Sequence, residues 1–206
     1  MTLEGFNLLY KFLSLLEPKI ENYEKPFLMY IDKVYNIKGV GCVVSGSIKY
    51  GKVKVGDELL IGPFKNGEFK RVKVKSIEIH YLSIEEASEG YIVGIALKGI
   101  NNNEVRRGMV LCDSMLDPKP IRSFVAEVYV LTHPTRISNG YEPVIHLNTI
   151  AEAAKIKLLD KEYLKVGEKG LVEFTFKYNC YFFEVGEKFV FREGRTKGIG
   201  IVRRVF

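Results

Sequence analysis

The groups in this chain that could carry acid–base, nucleophilic or metal chemistry are few, and they are not spaced for it. His80, His133 and His146 share no spacing with one another or with a carboxylate, so neither a catalytic triad nor a metal site is expected from them. Glu85 and Glu86 are adjacent in a polar stretch and read as a solvated turn rather than a general acid and base. Cys42, Cys112 and Cys180 form an odd set without a CxxC pair, which argues against a disulfide framework and a structural zinc site. Gly41 and Gly46 have the GxxxxG spacing of a phosphate loop. However, Ser47 and Ile48 stand where a lysine and a hydroxyl residue would reach phosphate and Mg²⁺, and Cys42, Val43 and Val44 are too apolar for a loop of bare amides. No catalytic, cofactor-binding or metal-binding residue is therefore expected.

What remains is recognition by charge. The ending FREGRTKGIGIVRRV (191–205) sets Arg192, Arg195, Lys197, Arg203 and Arg204 against the single acid Glu193. Such a cluster fits the phosphates of an RNA, or else is a basic turn with no partner. Arg106 and Arg107 precede Gly108 and follow Asn101–Asn103. Read as adjacent strand residues, they point to opposite faces, so at most one serves a given surface. The alternative for this pair is a solvated edge.

These residues need elements to hold them, and the hydrophobic period supplies strands. From Pro26 onward apolar residues alternate, over 27–31, 34–37 and 58–61, with turns at Gly62-Pro63 and Asn66-Gly67. The stretch Gly39 to Asp57 reads as two strands and a corner, its glycines marking positive φ or close backbone approach. In RVKVKSIEIHY the alternation slips near Ser76, which predicts a β-bulge. LSIEEASEG reads as a polar connection, and Asp117-Pro118-Lys119-Pro120 as a boundary. Strands are expected again over 123–131, 143–149, 153–159, 170–178, 188–192 and 198–205. The fold class expected is all-β, two antiparallel barrels in tandem, over 26–116 and 117–206. Residues 2–16 carry Leu3, Phe6, Leu9, Leu13 and Leu16 at helical spacing before a stop at Glu17-Pro18, and 19–25 read as a linker.

Length and composition allow this. A chain of 206 residues with 47% hydrophobic content can build two cores of about 100 residues each. A net charge of +6 and a pI near 9.0 are compatible with a polyanion partner or with solubility alone. No apolar segment is long enough to span a bilayer, and the N-terminus lacks signal-peptide character, so a cytoplasmic location is expected.

Several separate motifs, in order, resemble the second and third domains of translational GTPases of the elongation factor Tu and elongation factor 1A class. For the second domain they are the Pro26-Phe27 start, GVGCVVSGSIKYGKVKVGDEL (39–59) and GIALKGINNNEVRRGMVL (94–111). For the third they are FVAEVYVLTHP (124–134), ISNGYEPVIH (137–146) and FREGRTKGIGIV (191–202). Within that class, THPTRIS, the FREGRTK ending and the helix TLEGFNLLYKFLSLLEP look most similar to the GTP-binding protein 1 family. The resemblance implies that residues 1–25 are the last helix of a GTPase domain plus a linker, and that this domain is otherwise absent. No GxxxxGK[ST] or NKxD motif occurs in these residues, so GTP and Mg²⁺ are expected in the full-length parent, not in this stretch.

The resemblance also implies sites. Carried over by position, a cleft for the 3′ end of transfer RNA would be lined by Asp32, Lys33, Tyr35, Ile37, Val43, Ser45 and Tyr91. Lys33 here replaces an acid, and Tyr91 stands where the family often has the carboxylate that holds the ribose. Read from the residues alone, Tyr35, Ile37 and Val43 would be barrel wall. RNA backbone contacts would come from Asn102, Arg106, Arg107, Arg136, Glu193, Gly194, Arg195, Thr196 and Lys197, the last five in the loop that meets the T stem in the family. Val144 and Ala153 occupy positions that are polar in bacterial factors. The partners implied are tRNA or another RNA, the ribosome and the protein's own GTPase domain. The alternative is a protein-interaction module that docks a rescue or decay factor with little RNA contact.

Overall fold

The structure is a computed structural model that describes residues 3–16 and 24–206. The expected stop at Glu17-Pro18 and most of the 19–25 linker lie outside the described residues. Helix α1 spans Leu3–Ser14, and Phe6, Leu9, Leu13 and Leu16 are all exposed, so its apolar stripe has no partner among the described residues.

The first barrel is built from β1 (Leu28–Ile37), β2 (Gly41–Tyr50), β3 (Lys52–Lys54), β4 (Glu58–Gly62), β5 (Lys70–Ile79), β6 (Leu82–Ile84), β7 (Glu86–Ser88), β8 (Ile92–Lys98) and β9 (Val110–Cys112). Its main sheet runs β4-β9-β1-β2-β8-β5 and closes through a β4–β5 pairing, with β6 appended to β5 and a separate β3–β7 ribbon. Alternate residues point inward, so Met29, Ile31, Val44, Ile61, Val74, Ile77 and Ile95 form the core. The bulge expected near Ser76 is present as a register shift between Val74 and Ser76.

Three local readings differ from the structure. The stretches read as 27–31 and 34–37 fall, from Leu28 on, in the single strand β1, joined by a bulge at Asp32, since Ile31 pairs with Gly46 and Lys33 with Ser45. An extra residue reverses the alternation, and that reversal hides the strand's continuity from a period-two reading. The polar segment after Tyr81 carries β6 and β7. Arg106 and Arg107 lie in a turn before β9 rather than in a strand, because Gly108 at φ +86° turns the chain there.

The second barrel comprises β10 (Ser123–Thr132), β11 (Ile137–Ser138), β12 (Val144–Leu147), β13 (Ile150–Leu158), β14 (Tyr163–Leu164), β15 (Lys169–Phe176), β16 (Lys188–Glu193) and β17 (Thr196–Val205). Six of these close in the order β10-β15-β13-β12-β16-β17, with β11 and β14 paired beside them. Its core is phenylalanine-rich: Phe124 stacks on Phe174 at 5.1 Å between ring centroids and meets Phe189 edge-on at 5.5 Å. Phe189 and a further core ring, Phe191, stand opposite Gly200 and Gly198. A Cβ at Gly198 would lie 2.0 Å from the Phe191 ring, so ring and glycine fill one space together.

Between the barrels the outer face of β1, β2 and β9 is buried. Leu28, Tyr30, Tyr50, Val110 and Cys112 cluster there, with Phe182 packed against them. The Tyr30 hydroxyl donates to Glu187 at 2.6 Å, and the Tyr50 hydroxyl donates to Glu184 at 3.2 Å. Burial first of all pushes the Glu187 carboxyl above its ordinary range.

Candidate nucleic-acid interface

The seven residues expected to line a cleft gather on one side of the first barrel, in two groups. Because of the bulge, Lys33, Tyr35 and Ile37 all face outward. Tyr35 pairs directly with Val43 and Lys33 with Ser45, so these four share one sheet face. Tyr35 and Ile37 are 44% and 45% exposed, which makes this face an open apolar platform rather than a buried barrel wall. The second group, Asp32, Ser45 and Tyr91, lines an adjoining groove of about 820 Å³. Tyr91 is positioned by its backbone, whose carbonyl accepts from the Ile48 amide at 3.0 Å.

The groove contains residues that the sequence reading missed. Asn148 and Thr149 reach it from the turn between β12 and β13, so both barrels contribute to its walls. Ile92, which pairs with Ser47, adds apolar surface at 69% exposure. The apolar alternation of β8 marks Ile92 as one of its outward positions, whereas Asn148 is brought near only by the packing of one barrel on the other.

The arginine pair separates into two roles. Arg106 turns toward the second barrel: its guanidinium donates to the carbonyls of Pro63 in the first barrel at 3.0 Å and of Cys180 in the second at 2.8 Å, and sits 4.8 Å over the Tyr181 ring. Tyr181 in turn donates to Glu152 at 2.8 Å, and Glu152 also accepts from the amides of Tyr178 and Asn179 and from the Asn179 side chain. Burial would raise the Glu152 carboxyl, but these donors outweigh it and hold it below the ordinary range. Arg106 is thus occupied as a clamp between the barrels. Arg107 remains at the surface in an ion pair with Asp32 at 3.0 Å, beside the groove. Asn102 begins a short 3-10 turn (Asn102–Glu104) and is half-buried, next to a Glu104–Lys70 ion pair.

The basic ending forms the β16–β17 hairpin, connected by Gly194, at φ +52°, and Arg195. Arg195 and Lys197 are exposed, without an ion-pair partner among the described residues. Thr196, by contrast, is buried inside the barrel and offers only its backbone. Arg203 is paired with Glu127 at 3.0 Å. Arg192 donates to His146 at 2.9 Å, and burial together with the Arg192 and Arg107 guanidiniums lowers the His146 pKa, so the imidazole accepts as a neutral ring. The Thr132 hydroxyl donates to the Arg195 carbonyl at 2.8 Å, which ties the loop containing His133 and Arg136 to the hairpin tip. Arg136 lies 5.0 Å over the Tyr163 ring. Two motifs distant in sequence, THPTRIS and FREGRTK, are therefore one surface.

Comparison with known proteins bears on what these surfaces are. The family model described as elongation factor Tu domain 2 matches residues 41–112, and that described as elongation factor Tu C-terminal domain matches residues 117–206. The chain is 37% identical to GTP-binding protein 1 of Xenopus laevis over 206 residues, all of this chain and 32% of that protein. It is 32% identical to GTP-binding protein 2 of Homo sapiens over 98% of this chain and 35% of the relative. Elongation factor 1-alpha of Staphylothermus marinus is 34% identical over 92% of this chain and 47% of the relative. The chain spans about a third of the length of these GTP-binding proteins and about half that of the elongation factor.

Proposed function

Because this chain belongs to the elongation factor Tu family, through that family's second and C-terminal domains, we propose that it is the RNA-binding two-barrel part of a translation-related GTPase. In this reading GTP and Mg²⁺ are held, and GTP is hydrolysed, by a domain outside these residues. The two barrels meet aminoacyl-tRNA or a related RNA, and the ribosome, in the cytosol. The observation that carries it is the open apolar platform of Tyr35, Ile37 and Val43 beside the groove. A single-stranded RNA end can stack there with a gain of about 1–3 kcal/mol per base, while Ser45 and Tyr91 offer hydroxyls to a ribose. Arg107, at the groove, and Arg195 and Lys197, on the second barrel, supply cations for the phosphates that follow.

Filter binding of tRNA to the wild type and to R195E/K197E tests this. Both side chains are exposed and without an ion-pair partner among the described residues, so folding is unaffected and affinity falls by about tenfold or more, since the variant repels two phosphates that the wild type neutralises. Unchanged tRNA affinity with retained ribosome association contradicts the reading and favours a protein-docking module.

A further inference from the structure

The first barrel has a second distinctive surface, centred on the β5–β6 hairpin. The β5–β6 hairpin turns through His80 at φ +49° and Tyr81 at φ +68°, a left-handed pair for which Asn-Gly is the favoured sequence. Tyr81 at the tip is 99% exposed and Leu82 beside it 69%. Below the tip lies a groove of about 560 Å³ whose apolar wall is Ile79, Leu82, Ile84, Ala87 and Tyr91. The strand that borders it, β6, is paired only with β5, so its outer edge is unpaired by any other strand of the described residues.

Charge says what fits this edge. In a chain of net charge +6, the stretch from Ser76 to Ile92 contains Glu78, Glu85, Glu86 and Glu89 and no lysine or arginine. Lys54 reaches this end of the barrel in an ion pair with Glu86, and Lys52 lies at the lip of the groove. The register sorts the two faces of β6: Leu82 and Ile84 pair with Ile79 and Ile77 on the apolar side, while Ser83 pairs with Glu78 on the other, and Glu85 follows. The surface is acidic on one side of the edge and aliphatic on the other, which repels a polyanion.

We propose that the β6 edge is a docking site for an extended segment of a partner protein that alternates basic and aliphatic residues. Such a segment adds as a strand along Leu82–Ile84. Its aliphatic side chains enter the groove against Leu82, Ile84 and Tyr91, and its basic ones face Glu78 and Glu85. Tyr91 also borders the groove of the RNA reading, but Glu78, Leu82, Ile84 and Glu85 do not, so the site stands if that reading fails.

The test uses the whole chain, labelled with ¹⁵N, and an acetylated, amidated heptapeptide of lysine alternating with valine and leucine. A shuffled peptide of the same composition and a single-stranded oligouridylate serve as the other arms. Amide shifts centred on 77–87 with the alternating peptide support the proposal, as does a loss of about fivefold in affinity for each of E78K and E85K. Tyr81→Asn serves as the control: it suits the left-handed turn better and Tyr81 does not line the groove, so the variant melts at a higher temperature than wild type and keeps its affinity for the peptide. Equal binding of the shuffled peptide, shifts elsewhere on the surface, or oligouridylate shifting the same amides overturns it.

Discussion

Glu152 shows how much of this molecule rests on single polar residues. A carboxylate only accepts, and four donors converge on it, from Tyr178, from both the backbone and side chain of Asn179, and from Tyr181. Glu152→Gln turns one acceptor into a donor facing a donor, and is expected to cost about 2–4 kcal/mol at pH 7. The sign of the pH dependence follows from the lowered pKa: the wild-type advantage is present above the ordinary carboxylate range and is lost as pH falls through the depressed folded value. Thermal melts of both proteins at pH 7 and near pH 3 check this, and the gap should narrow in acid. Nothing in the sequence singles out Glu152, because its partners lie about thirty residues away and only the folded loop collects them.

At the scale of elements, Gly46 carries the clearest prediction. A Cβ there would stand 2.0 Å from the Tyr30 carbonyl, which is backbone and cannot swing aside. Gly46→Ala must therefore part β1 from β2 beside the bulge. A loss of about 2–4 kcal/mol in urea unfolding is expected, together with weakened RNA binding as Asp32, Lys33 and Tyr35 shift. The pair of strands with a corner was legible from the glycine-punctuated run, as was the slip near Ser76, whereas Gly46 reads as the end of an apolar run and in fact lies inside β2. The Asp32 bulge was not legible, because it reads as an interruption between two short strands. Its consequence is the exposed platform: without the extra residue, Tyr35 and Ile37 would point into the core. The basic hairpin was legible from composition, while its union with the Thr132–Arg136 loop depends on one long-range hydrogen bond. The clamp role of Arg106 was hidden for a similar reason, since its carbonyl partners at Pro63 and Cys180 carry no sequence signal.

For the whole molecule the question is whether the two barrels act as one surface. Tyr30 with Glu187, Tyr50 with Glu184 and Arg106 with Cys180 join them across a buried apolar seam, and the candidate groove takes walls from both. Arg106→Ala removes two charged hydrogen bonds and a ring contact, worth about 3 kcal/mol together. Differential scanning calorimetry should then resolve two transitions where the wild type shows one. In the proposed function this joined surface binds RNA through its phosphates. The most direct test is the affinity for tRNA measured across a range of salt concentrations. With roughly 3–5 phosphate contacts, log affinity should fall against log salt with a slope of about −2 to −4. A flat response would contradict the claim.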